Sequence, residues 1–189
     1  MTVFTQSING IEMTFITSRN IFSPDNIDKG TVLMLSSVQF EQNSRILDLG
    51  CGYGVVGIYA AKLIGAENVV MSDTDKTAVA LSIKNTALNG VPGVKVIRSD
   101  GFKSINDTGF THILSNPPYH ADFSVPKHFI EKGFNRLEVG GQFHMVTKRL
   151  DWYKNKLTAI FGGVKVQRVD DYFIFRAEKR DTRYANTKG

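Results

Sequence analysis

At 189 residues the chain is sized for one domain with a single substantial core. A hydrophobic share of 42% and a charged share of 22% exclude a disordered polymer, and the lone cysteine, Cys51, excludes an internal disulfide and fits a reducing cytoplasm. The net charge of +5 favours a polyanionic partner only weakly, no apolar run approaches the roughly 18–20 residues of a membrane span, and the start, M-T-V-F-T-Q-S, lacks a signal pattern.

In chain order, Val3 to Thr17 alternates around Asn9-Gly10, the dipeptide of a two-residue hairpin turn, and predicts a small antiparallel ribbon. A loop with Pro24 and Gly30 follows. Val32, Leu33, Leu35, Val38 and Phe40 then have helical periodicity, with Asp28 or Thr31 as the cap. Residues 1–40 are too few for a core of their own, so they are expected to pack on a catalytic core formed by 41–189, making one domain.

Arg45 to Gly57 reads R-I-L-D-L-G-C-G-Y-G-V-V-G. Ile46, Leu47 and Leu49 mark a short strand buried on both faces. Gly50, Gly52, Gly54 and Gly57 follow, and a helical pattern runs from Val55 to Leu63. Strand, glycine turn and helix form the nucleotide-binding corner of a doubly wound α/β sheet. Gly52 to Gly57 also fits the dinucleotide fingerprint G-x-G-x-x-G, with Asp73 about the expected distance downstream. Asp48, at the strand end, decides against a pyrophosphate, which a neighbouring carboxylate would repel. A ligand bearing a sulfonium and an ammonium welcomes that carboxylate. Asp48-Leu-Gly50-Cys51-Gly52-Tyr-Gly54 therefore resembles the first motif of the class I S-adenosylmethionine-dependent methyltransferases. Cys51 reads as a small residue in a crowded loop rather than a nucleophile.

Asn68 to Ser72 reads as the second strand, and Asp73, with Thr74 behind it, stands at its end. The fold puts a ribose-binding acid there. One of Asp73 and Asp75 can cap the next helix while the other takes the ribose; Asp73, nearer the strand, is the ribose candidate. Thr77 to Asn89 is helical and Gly90 ends it. Val94 to Arg98 is the third strand, closed by Ser99-Asp100-Gly101-Phe102. Asp100 is placed to accept from an adenine amine and Phe102 to line an adenine slot; a loop carboxylate and a core aromatic fit the same spacing.

Phe110 to Ser115 is the fourth strand, followed directly by Asn116-Pro117-Pro118-Tyr119. Two prolines fix two φ angles and remove two donors, so this is a rigid turn. First and fourth strands are neighbours at the switch point, and their ends should share one cleft. The Asn116 side-chain carbonyl and the Pro117 backbone carbonyl can hold the two hydrogens of a planar base amine and aim its lone pair at a methyl carbon. Tyr119 offers a stacking face. The joint pattern resembles the amino-methyltransferase branch, which acts on adenine, guanine or a protein glutamine. Ser-Asn116-Pro-Pro-Tyr119-His120, with Phe22-Ser-Pro-Asp25 and Asp28-Lys-Gly30-Thr31 upstream, looks like the methyltransferase small domain group and its ribosomal small-subunit RNA guanine-N2 methyltransferase family. The resemblance covers roughly Ile21 to Gly141. Members often have Phe where Tyr119 stands, and the longer ones carry an extra degenerate domain ahead of the catalytic one.

Phe123 to Leu137 is a helix with a core-facing stripe, ended by Gly140-Gly141, and Gln142 to Thr147 is the fifth strand. Lys148 and Arg149 emerge on the cleft side, ahead of a short helix bearing Trp152, Tyr153, Lys154 and Lys156. A solvated face or phosphate contact fits them. Val164 to Arg168 and Tyr172 to Ala177 are two strands around Asp170-Asp171, and Lys179, Arg180, Arg183 and Lys188 make a basic tail. His112 and His144 read as strand histidines, and no metal-ligand spacing occurs.

The resemblance implies a Rossmann-like methyltransferase fold: a doubly wound, mostly parallel seven-stranded α/β sheet with a C-terminal antiparallel pair and a small N-terminal hairpin. It implies S-adenosyl-L-methionine as cofactor, a base amine as acceptor, and guanine N2 of 16S ribosomal RNA, free or in the small subunit, as the expected target. Rival readings are adenine N6 or glutamine methylation, a nicotinamide oxidoreductase, and a catalytically silent RNA-binding module. No membrane partner is expected, and no oligomeric state follows from the sequence.

Overall fold

The computed structural model describes residues 1–119 and 122–187; His120 and Lys188 lie outside the described residues. Strands β1 (Thr2–Ile8) and β2 (Ile11–Thr17) form the expected hairpin. Asn9 and Gly10 both take positive φ, 49° and 79°, as a two-residue turn matched to strand twist demands. Helix α1 (Lys29–Ser36) starts earlier than the apolar periodicity suggests, because the Asp28 side chain caps it by accepting from Thr31 N at 3.1 Å. Val38 and Phe40 lie beyond its end.

The remaining elements build one seven-stranded sheet. They are β3 (Ile46–Leu49), α2 (Val55–Ile64), β4 (Val69–Asp73), α3 (Lys76–Leu88), β5 (Lys95–Arg98), β6 (Phe110–Ser115), α4 (Ser124–Arg136), β7 (Leu137–Thr147), α5 (Asp151–Phe161), β8 (Lys165–Val169) and β9 (Tyr172–Glu178). Strand order is β5-β4-β3-β6-β7-β9-β8. The first five strands in that order run parallel, while β9 pairs antiparallel with both β7 and β8. The order reverses between β3 and β6, so the glycine corner and the Asn-Pro-Pro turn leave adjacent strand tips.

Two core layers flank the sheet. Ile46 and Met71 face the hairpin, α1 and α2, whereas Leu47, Leu49, Ile113 and Phe143 face α4 and α5. The helix–strand junction near Gly140-Gly141 differs from the sequence reading. Helix α4 ends at Arg136 and β7 begins at Leu137, so both glycines lie inside the strand. The β6–β7 pairing jumps between Phe110 and His112, and a Cβ on Gly141 would stand 2.9 Å from the Phe110 carbonyl oxygen. The glycines there serve a bulge and a close backbone approach.

The hairpin is bound to the sheet unit through α3. Asn85 Oδ1 accepts from Ile16 N at 2.8 Å, and Asn85 Nδ2 donates to Ile16 O at 3.0 Å and to Tyr53 O at 2.9 Å. One turn on, Asn89 makes the same pair of bonds to the Thr14 backbone. Two side-chain amides thus complete the open edge of β2 as a further strand would. Asn85→Ala is expected to leave these buried groups unpaired and to cost roughly 2–4 kcal/mol. A thermal melt should show it as a fall of about 5–15 °C in midpoint.

Candidate active site

One cavity of about 370 Å³ opens at the tips of β3, β4 and β6. The glycine turn forms its floor. Gly50, Gly52 and Gly54 take φ of 77°, 56° and 101°, a left-handed path that side chains disfavour. Gly50 N and Cys51 N both donate to Ser72 O at 2.9 Å, which ties the turn to β4. Ser82 Oγ donates to Gly52 O at 2.8 Å and braces it from α3. Gly57 lets α2 press on β4: a Cβ there would meet Met71 Sδ at 2.1 Å.

Two carboxylates stand over this floor. Asp48 is 2% exposed, and its Oδ2 accepts from Gly57 N at 2.9 Å. Burial pushes its pKa up to about 7; the Gly57 bond opposes the shift and nearby Asp73 adds to it. Asp73 accepts from Gly52 N through Oδ2 and from Asp75 N through Oδ1, each at 2.9 Å. Burial nevertheless raises its pKa too. Asp75 caps α3 by accepting from Thr77 N, and it is Asp73, not Asp75, that lines the cavity. With the Thr74 backbone also bonded to it, the Asp73 carboxylate still has acceptor capacity for a ligand hydroxyl.

Across the cavity, Asn116 is held from its amino side. Its Nδ2 donates to Asp28 Oδ2 at 2.8 Å and to Thr31 Oγ1 at 2.9 Å. A carboxylate only accepts, so the amide must turn its nitrogen to Asp28 and leave Oδ1 free. Asn116 Oδ1 is buried and has no hydrogen-bond partner among the described residues. Asp28 Oδ2 also accepts from Tyr119 Oη at 3.3 Å. Gly30 is required beside this cluster, since a Cβ would lie 2.9 Å from Asp28 Oδ2 and 3.0 Å from Tyr119 Oη.

Asp48, Gly50, Cys51, Gly52, Asp73, Thr74, Asp100, Gly101, Asn116, Pro117 and Pro118 all line this cavity. Three expected site residues do not. Gly54 lies behind the turn as the N-cap of α2. Phe102 is 5% exposed and packs in the core layer of α4 and α5, so its ring is not the wall of an adenine slot. Tyr119 stands beside the cavity, edge-on to Phe22 with centroids 5.9 Å apart, rather than presenting a free face to it. Asp100 is at the rim, its carboxylate exposed and paired with Lys103, which lowers its pKa. Burial pushes the Cys51 thiol well up, which disfavours the thiolate a nucleophile would need. Phe22, 56% exposed at the cavity mouth, carries no periodicity signal; it shares with Asp28 and Thr31 a place in the motifs of the family resemblance, but apart from capping the sequence assigns none of the three a site role.

The charge pattern selects the ligand. Asp28, Asp48, Asp73 and Asp100 line the cavity, and among the described residues no lysine, arginine or histidine does. A pyrophosphate would meet only negative charge there, whereas a sulfonium with an ammonium would be welcomed. Strand order, antiparallel C-terminal pair and acid-lined pocket together define a class I methyltransferase fold with a site suited to S-adenosylmethionine.

The profile of the methyltransferase small domain family matches residues 12–176, and the chain belongs to that family. It is 32% identical over 174 residues to the uncharacterized protein YbxB of Bacillus subtilis (strain 168), covering 89% of this chain and 87% of that one. It is 34% identical over 169 residues to ribosomal RNA small subunit methyltransferase C of Haemophilus ducreyi, covering 86% of this chain and 51% of that protein. Among solved structures, the Thermus thermophilus 16S rRNA N2 G1207 methyltransferase RsmC, in complex with AdoMet and guanosine, superposes with a TM-score of 0.86 at 28% identity. That match covers 95% of this chain and 50% of RsmC. The chain thus spans about half the length of the ribosomal RNA methyltransferases it matches. Among the described residues no helix is long and apolar enough to cross a membrane, and no cluster of His, Cys, Asp and Glu could hold a metal ion.

Proposed function

We propose that this protein transfers a methyl group from S-adenosylmethionine to the exocyclic N2 of a guanine in small-subunit ribosomal RNA, in the cytoplasm, as a single domain. The observation that carries the reading is the buried Asn116 Oδ1, which has no partner among the described residues and is held opposite the glycine turn in an acid-lined cavity. Bound S-adenosylmethionine supplies a methyl group made electrophilic by its sulfonium. Asp48 and the Gly50–Gly52 backbone hold the methionine end, Asp73 with Thr74 takes the ribose, and Asp100 with Gly101 borders the adenine. Asn116 Oδ1 and the Pro117 carbonyl accept the two amine hydrogens and aim the nitrogen lone pair, while the two prolines keep both acceptors in place. Phe22, the exposed ring at the mouth, takes the stacking task that spacing alone suggests for Tyr119.

Asp28 favours guanine over adenine. Its Oδ2 receives Asn116, Thr31 and Tyr119, while its other oxygen has no partner among the described residues. Guanine offers two neighbouring donors, N1–H and the N2 amine, which suit a carboxylate beside an amide oxygen. Adenine N1 is an acceptor and would be repelled. Nucleoside mass spectrometry of small-subunit RNA from cells with and without the gene tests the assignment. Loss of an N2-methylguanosine is expected; loss of N6-methyladenosine, or of a methylglutamine in the protein pool, would replace guanine with the rival acceptor.

The Asp48 shift gives a pH dependence. Below about pH 7 the carboxyl is protonated in the free protein and offers no charge to a cation. Cofactor affinity is expected to fall about tenfold per pH unit below that point and to level off above it, with proton release on binding below pH 7. Calorimetry in buffers of different ionisation enthalpy reads both; a flat profile with no proton release would refute the Asp48 role.

A further inference from the structure

A second hollow lies on the sheet face that α1 covers, at the C-terminal end of that helix. It measures about 250 Å³ and is lined by Ser37, His144, Lys165, Gln167, Ile174 and Arg176, with Val166 behind them. Strand register explains its chemistry. His144 of β7 is opposite Arg176 of β9, and Arg176 is opposite Lys165 of edge strand β8. Directly opposed residues share a face, so the three side chains form one row, with Gln167 and Ile174 in the next.

Two cations in direct cross-strand opposition are unfavourable unless something neutralises them. Neither the Lys165 nor the Arg176 side chain makes an ion pair or hydrogen bond among the described residues, and Glu178, on the same face of β9, does not pair with Arg176. His144 adds an independent signal. It is 1% exposed, and its buried Nε2 has no hydrogen-bond partner among the described residues. Burial, with His112 and Arg176 alongside, lowers its pKa to about 3, so the ring is neutral and has one N–H to donate.

We infer that this row is a phosphate subsite: it holds one backbone phosphodiester of the RNA substrate, ion-paired by Lys165 and Arg176 and hydrogen-bonded by Gln167, with the neutral His144 ring beneath them. The inference rests on the reading of the chain as an RNA methyltransferase. Helix α1 connects the subsite to the catalytic cavity, since Asp28 caps its start in one and Ser37 caps its end in the other. Its eight residues span about 12 Å at ~1.5 Å each. That is roughly three to four nucleotides stacked at ~3.4 Å, so a strand with its guanine in the cavity can lay a nearby phosphate in the hollow.

The test is the K165A/R176A double variant of the full chain; both side chains are exposed, and the fold should be unaffected. Binding of a small-subunit RNA fragment is followed by fluorescence anisotropy across a salt series, with methylation of the same RNA by the wild type measured in parallel. The variant is expected to bind RNA about tenfold more weakly and to reduce the slope of log K against log salt by about 1. Cofactor affinity and melting midpoint should stay at wild-type values. If the wild type methylates the RNA and the variant binds it with unchanged affinity and slope, the subsite is overturned while the activity stands. If the wild type neither binds nor methylates RNA, both readings fall. Titration with inorganic phosphate distinguishes the remaining source: binding lost in the variant, with RNA affinity unaltered, would make the hollow a free-anion site and overturn the RNA assignment.

Discussion

Asn116→Ala is expected to lower kcat for methyl transfer by roughly 10²–10³-fold, the range for removing one preorganised polar group from a reacting centre. The cofactor dissociation constant should stay within about twofold of wild type. The split follows from where the contacts lie. The cofactor's proposed holders, Asp48, Asp73 and the glycine turn, leave β3 and β4, while Asn116 leaves β6 and is fixed by Asp28 and Thr31. Alanine removes Oδ1 together with the two Nδ2 bonds to Asp28 and Thr31, but the Asp28 carboxylate still caps α1 through Thr31 N, so the helix beside the site is kept. Steady-state kinetics with calorimetry on the same preparation measures the two effects. Retained turnover would show that the amine is not gripped at this position.

Residues whose placement depends on near neighbours could be read from the sequence. The hairpin followed from Asn9-Gly10, and β6 spans Phe110–Ser115 as its apolar run and the following prolines indicate. The pairing of the two turns across one cavity was also legible, because the parallel order around the switch point depends on topology rather than on side-chain detail. What escaped were long-range contacts and local exceptions. Phe102 has the spacing of a pocket residue, but its ring turns into the core layer of α4 and α5. Gly140-Gly141 looks like a helix stop, yet the chain enters β7 before reaching it, and the glycines accommodate the Phe110 carbonyl. The sequence shows Asp28 as a cap and as part of the family resemblance but not as a partner of Asn116, since that contact joins residues 88 positions apart.

That contact sets the second large expected effect. Asp28→Asn keeps the size of the side chain and its ability to cap α1, because asparagine ranks with aspartate at that position. It removes the property that fixes Asn116: a carboxylate accepts only, whereas an amide offers a donor as well. The substituted amide can then present its own NH₂ to Asn116, which lets the Asn116 side chain turn over and point Nδ2 at the incoming amine. A donor facing a donor opposes the approach, so kcat is expected to drop by roughly 10–100-fold, less than full removal because the productive orientation stays populated. Helix stability and cofactor affinity should be unchanged, as Asp28 has no part in the glycine turn or in the Asp73 contacts. Gly30→Ala approaches the same cluster sterically and should lower kcat too, with cofactor binding spared, because its Cβ would press on Asp28 Oδ2 and Tyr119 Oη. If Asp28→Asn turned over at the wild-type rate, the amide orientation would have to be set by Thr31 alone. Thr31→Val, which removes the Oγ1 that receives Nδ2 at 2.9 Å, would then be the variant that fails.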